Sequence, residues 1–222
     1  MSTAVAERPD TTEMRLIHDM FRRGFGSVPD LVRGVPAGDT ARAARVVRFQ
    51  TELTTGLHHH HTTEDEMMWP LLLDRVPTDH ALVLRMEEQH ERIAELIERA
   101  ETRAAEFERT AAVPDGEALA TTVTALGVAL DEHLAEEEGR ILPLVEESLT
   151  VAEWEAMGER AREGVPRDRQ FILLGYVMDG MPEDERAELL AAMPLIGRLM
   201  WRFVGRRAFV REYRDIFGAD PS

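Results

Sequence analysis

The fold turns on His58-His59-His60-His61-Thr62-Thr63-Glu64-Asp65-Glu66-Met67-Met68-Trp69-Pro70-Leu71. A second stretch repeats its pattern: His133-Leu134-Ala135-Glu136-Glu137-Glu138-Gly139-Arg140-Ile141-Leu142-Pro143-Leu144. Aligned on the proline, both read His, three residues, Glu, an acid, four residues, Pro, Leu. That pairs His60 with Glu64 and His133 with Glu137. A His and a Glu four apart project from one face of a helix, one turn apart. Two such pairs on two helices can aim two imidazoles and two carboxylates at one point. The spacing predicts a metal site, and the count predicts a dinuclear one.

Composition sets the frame for that site. The chain has 222 residues, 44% of them hydrophobic and 31% charged. That is enough for one well-filled domain with an extension. Ala, Leu, Glu and Arg dominate while alternating β-branched runs are short, so the expected class is all-α. There is no Cys, which excludes disulfides and thiolate ligation and leaves nitrogen and oxygen as the only metal donors. A net charge of -16 argues against a nucleic-acid binder. No apolar leader and no run of about 18 apolar residues occurs, so the expected location is the cytoplasm, with no membrane contact.

Taken in order, residues 1–10 read as a disordered tail. Asp10-Thr11-Thr12-Glu13 offers a cap for a first helix to about Phe25 that carries His18. Gly24, Gly26, Pro29, Gly34, Pro36 and Gly38 read as a connection, expected to climb along the bundle over residues 27–39. A second helix, capped by Asp39 or Thr40, should run to about Arg75, with Pro70 kinking it or marking its last turns. After a turn at Pro77-Thr78-Asp79, a third helix carries His80 and His90 to about Arg109. Val113-Pro114-Asp115-Gly116 reads as the next turn, and a fourth helix spans about Glu117–Glu147.

Four long helices, the last three joined by short turns, predict an antiparallel up-down four-helix bundle over residues 1–148. Shorter helices are expected at about 151–163, 168–179, 183–192 and 195–217. They form a C-terminal extension over 149–222, packed on the bundle. Its last helix holds six Arg and, from Pro194 onward, only three acids. Its aromatic residues require burial, which predicts that it packs against the acidic bundle and not on a membrane.

Height along the bundle checks the site independently. The midpoint of His60 and Glu64 lies 15 residues before Pro77, and His90 lies 13 after it. That is a difference of roughly 3 Å at about 1.5 Å per residue. His90 lies 22 residues before Ala112, and the midpoint of His133 and Glu137 lies 23 after it. Three helices therefore bring imidazoles to one level.

The candidate ligands are His18, His60, Glu64, His90, His133 and Glu137. Any one of these histidines alone would read as a solvated polar residue; the repeat and the matched heights make the set. Imidazole with carboxylate suits iron, manganese or zinc. Burying four His and two Glu without a cation would cost several kcal/mol. Within the histidine run, His61 and Asp65 also stand four apart and compete with His60 and Glu64. The proline-anchored repeat favours the latter pair, leaving His58, His59 and His61 around the site or exposed, and His80 on the surface.

The chain resembles the hemerythrin-like HHE cation-binding family over roughly residues 10–148. The matching motifs are His18-Asp19, His60-x3-Glu64-Asp65, Gln89-His90-Glu91 and His133-x3-Glu137-Glu138. The resemblance implies a four-helix bundle around two iron ions, oxo- or hydroxo-bridged. Oxygen-carrying members have a fifth His one turn from the third-helix ligand; here those positions are Met86 and Ala94. The site therefore looks like the four-His, two-Glu variants associated with iron or redox-gas sensing.

The function expected from the sequence is a non-haem di-iron protein that binds or senses dioxygen, nitric oxide or peroxide. An enzyme consuming peroxide or nitric oxide is the alternative, as is a metal-dependent interaction module that contacts a protein partner through the C-terminal helices.

Overall fold

The computed structural model describes residues 8–222. Among them every regular element is helical, and there is no strand. Four long helices dominate: α1 (Thr12–Arg33), α2 (Thr40–Met67), α4 (His80–Thr110) and α5 (Val113–Glu136). Short α3 (Trp69–Arg75) follows α2, and α6 (Leu142–Ser148) follows α5. The remainder is α7 (Val151–Glu163), α8 (Gln170–Met178), α9 (Glu183–Ala192), α10 (Leu195–Met200) and α11 (Arg206–Phe217). No helix among the described residues is long and apolar enough to cross a membrane.

α1 continues well past the expected end at Phe25, through Gly24, Gly26 and Pro29, to Arg33. A helix-interior proline costs about 3 kcal/mol. Phe21, Phe25, Val28 and Val32 lie on one face of α1 and are almost wholly buried. At about 1.5–3 kcal/mol for each fully buried side chain, that face outweighs the break. Gly24 is a packing residue, because a Cβ there would stand 2.7 Å from Leu53 Cδ2. The climb expected over residues 27–39 is thus made largely by helix, and the true connection is residues 34–39.

The third predicted connection also moves. Val113-Pro114-Asp115-Gly116 forms the first turn of α5 instead of the connection, since a proline in the first helical turn forfeits no hydrogen bond. The chain reverses at Ala111, whose φ of 44° lies in the left-handed region. Of the expected tail, residues 1–7 lie outside the described residues. Residues 8–10 run as coil with Pro9 buried, and the Asp10 carbonyl accepts a 2.9 Å hydrogen bond from Trp154 Nε1.

The repeated proline leaves the same mark twice. Pro70 has no N–H to give Glu66, and α2 breaks at Met68. Pro143 has none to give Gly139, and the chain widens into a π-helical turn at Glu137–Ile141. Such turns recur at functional sites. Glu64 therefore sits one turn before the break in its helix, and Glu137 opens the π turn in its own.

α1 packs on α2 and α5, and α4 packs on α2 and α5, so the four rods share one core. That core has two apolar sections. One includes Phe21, Leu57, Ile93, Leu126, Leu130 and Leu134. The other includes Met68, Trp69, Met86, Ile141 and Met157. Along α2 the order is Leu57, His60, Glu64, Met68; along α4 it is Met86, His90, Ile93. The polar residues of interest thus lie between two greasy plugs.

The C-terminal helices fold back over one side: α7 contacts α2, α8 contacts α1, and α11 contacts α2 and α8. Phe49 of α2 meets Tyr176 and Phe217. Arg169 ties Glu52 on α2 to Glu212 on α11. The arginines of the last helix do not pair with bundle acids among the described residues, contrary to the charge argument. Docking runs the other way. Arg42 of α2 donates to the carbonyls of Asp215 and Ile216, and Arg45 pairs with the Asp215 carboxylate. The helix C-terminus, with its unsatisfied carbonyls, is the natural partner of a cation. Trp201 and Phe209 are buried as expected, but Phe203 stays 57% exposed beside Leu195, Ile196, Leu199, Met200 and Val204.

Candidate metal centre

His18 from α1, His60 and Glu64 from α2, His90 from α4, and His133 with Glu137 from α5 and its π turn meet in one buried cluster. None exceeds 9% exposure. His18 Nε2 lies 3.3 Å from His60 Nε2 and 3.4 Å from Glu137 Oε2. On the other side, His90 Nε2 lies 3.2 Å from His133 Nε2, and His133 Nε2 lies 3.6 Å from Glu137 Oε2. Glu64 spans the two halves, with Oε1 3.1 Å from His60 Nε2 and Oε2 3.5 Å from His90 Nε2.

His61 joins them in the buried cluster, not around it or at the surface. It is 5% exposed, its ring stacks on His90 with centroids 4.0 Å apart, and it meets His133 edge-on at 5.0 Å. Donor atoms of His61, Glu64, His90 and His133 gather within 4.8 Å of one another, and so do those of His18, His60, Glu64 and Glu137. Consecutive residues on a helix point about 100° apart. One metal position could not take both His60 and His61 easily, but two adjacent positions can. His60 and Glu64 face the cluster, His61 joins it from the next position, and Asp65 bonds His90 Nδ1 instead.

The remaining histidines divide differently. His58 is exposed, and so is His80, whose Nε2 meets the Leu73 carbonyl. His59 is half-buried, with Nε2 3.2 Å from the Arg160 carbonyl, where it supports the end of α7.

The ring nitrogens facing away from the centre are held. Glu138 Oε1 lies 2.9 Å from His18 Nδ1, Asp65 Oδ1 lies 2.6 Å from His90 Nδ1, and Gln89 Oε1 lies 3.1 Å from His133 Nδ1. Each partner is an acceptor, so each Nδ1 carries a proton, and Nε2 is the ring nitrogen turned inward. The acid after each repeat glutamate therefore orients a histidine on a neighbouring helix. The signal was present in the pattern as "Glu, an acid", but spacing alone did not reveal which helix the acid would reach. Although its partial burial acts to raise its pKa, Glu138 is held at about 2 by hydrogen bonds from His18 and Arg22.

The interior chemistry asks for positive charge. All four carboxylate oxygens of Glu64 and Glu137 are buried without a hydrogen-bond donor, and so is His61 Nε2. The nearby imidazole nitrogens stand close but not in hydrogen-bonding geometry. Burial, and then the Glu137 charge, push Glu64 well above the usual carboxylate range; burial likewise raises Glu137. Burial, and then neighbouring imidazoles, hold His60, His61 and His133 well below the usual histidine range. Neutral imidazoles and donor-starved carboxylates are the form in which such residues accept a metal cation.

Fold and site together define an all-helical protein with a buried histidine-carboxylate cation site. The family profile described as the hemerythrin HHE cation binding domain matches residues 10–145, and the chain belongs to that family. No curated protein and no solved structure matches the chain.

Proposed function

We propose that this chain is a dinuclear non-haem iron protein that binds or senses dioxygen, nitric oxide or peroxide. In this reading one metal position is framed by His18, His60, Glu64 and Glu137, and the other by His61, Glu64, His90 and His133. The observation that carries it is the placement of Glu64, one oxygen toward each half, with no donor on either oxygen. A carboxylate in that position suits two cations better than one. His61 supplies the fifth imidazole that the third helix lacks at Met86 and Ala94, so the site compares with five-histidine centres as well as four-histidine ones.

The scaffold proposed for it is an antiparallel up-down bundle through about residue 148. Two end-to-end contacts support that direction. Thr11 at the start of α1 donates to Glu146 in α6 at 2.6 Å, and Arg33 at the end of α1 pairs with Glu117 at the start of α5 at 2.8 Å. When bound, iron would supply redox activity and an open coordination position. The chain's own contribution is to fix five imidazole orientations, supply two carboxylates and exclude bulk water.

Metal analysis of the purified protein, with optical spectra under air and after reduction, tests the reading. About two irons per chain with oxo-bridge absorption are expected; a chain that takes up no metal would overturn it. Steady-state peroxide and nitric oxide consumption separates a sensor or carrier from an enzyme.

A further inference from the structure

A cleft of about 1000 Å³ runs between the bundle and the C-terminal helices and reaches the candidate metal centre. Its walls include Ile17 and Phe21 of α1, Leu53 of α2, Met157 of α7, Leu173 of α8 and Phe217 of α11. On α2 the lining extends from Phe49 to Glu64, a distance of roughly 22 Å at 1.5 Å per residue. The buried polar side chains on the wall are His60, Thr63 and Glu64, and the Thr63 hydroxyl is already bonded to the His59 carbonyl. His60, the most exposed of the clustered residues, is also the histidine of the cluster that lines the cleft.

We propose that this cleft binds an elongated, mainly apolar organic molecule of the fatty-acyl class, with its oxygen-bearing end at His60 and Glu64. The volume lies at the upper end of small-molecule sites and far exceeds what a diatomic gas needs. The length selects a chain-like occupant over a compact one. The composition selects an apolar body, since covering such walls returns roughly 25 cal/mol per Å². The one deep polar end fixes orientation, with the tail directed toward Phe49, Tyr176 and Phe217. The C-terminal helices supply about half the enclosure, which gives the extension a role in ligand choice. The placement of the head rests on the metal reading of the centre; the presence of the ligand rests on the walls alone.

The test uses the full chain, metal-loaded and metal-free, titrated with hexadecanoic acid. Calorimetry and native mass spectrometry give stoichiometry, and fluorescence of Trp154 on the wall reports occupancy. One acid per chain, bound saturably and more tightly by the loaded form, is expected. Thr55 lies on the exposed edge of the cleft. Thr55→Trp is expected to weaken binding about tenfold while melting temperature and metal content stay at wild-type values. Leu173→Trp, a second obstruction from α8, should act alike. Absence of saturable binding in both forms, or wild-type affinity in Thr55→Trp and Leu173→Trp, overturns the proposal. Retained binding in a chain that takes up no metal would sink the metal reading and leave the cleft assignment standing.

Discussion

Asp65 and His90 are joined by a 2.6 Å hydrogen bond from His90 Nδ1 to the carboxylate, so a half-exposed acid on one helix sets the face that a buried imidazole on another turns inward. Trp69 Nε1 donates to the same oxygen at 2.8 Å and fixes the acid in turn. Removing such an outer partner costs about 10–100-fold in metal affinity. Asp65→Ala is expected to show that loss in competition titrations with a chelator, with helical content unchanged. Asp65→Asn, which keeps an acceptor oxygen, should recover part of it.

His61 separates a seven-donor centre from a six-donor one. His61→Phe keeps a flat ring against His90 and removes Nε2, one of the buried atoms with no partner. Metal content is expected to fall toward one ion per chain, with the second position weakened. His133→Ala should abolish the dinuclear spectrum, because His133 lies within reach of Glu137 and His90. His80→Ala, altering an exposed residue, should leave metal content at the wild-type value.

Two glycines test the packing of the extension. A Cβ at Gly175 would stand 2.2 Å from the Phe209 ring, so Gly175→Ala must push α11 away from α8. Such overpacking costs about 1–3 kcal/mol, and thermal melts should show it. Gly127, inside α5, has nothing within 4 Å of its would-be Cβ. Gly127→Ala is expected to raise stability by up to about 1 kcal/mol through helix propensity.

Glu153 links pH to the α7 capping box. Its carboxylate is held at about 2 by hydrogen bonds from Arg75 and Thr150, against an ordinary value of 4.5. A carboxylate depressed on folding contributes stability above 4.5, and that contribution is lost as pH falls toward 2. Glu153→Gln should therefore melt below wild type at pH 7, and the gap should narrow at pH 3. A gap that widens on acidification would contradict this account.

Much of this protein was legible in its residues. The two His-x3-Glu pairs, the prolines six residues beyond each glutamate, and the matched heights of His60, His90 and His133 are local or additive along a helix of fixed rise. They located the long helices and the convergence of six side chains. Where helices end depended on burial that no local pattern reports: Pro29 is overridden by the apolar face of α1, and the reversal falls at Ala111 while Gly116 lies inside α5, close against the Phe107 ring. Adjacent His60 and His61 compete for one point on a single rod, and only the packing of four rods shows room for both. The reach of Asp65 to His90, of Glu138 to His18, and of α7 and α8 across the mouth of the cleft likewise join residues far apart in the chain. Such contacts follow from helix crossings, which depend on every packed residue at once.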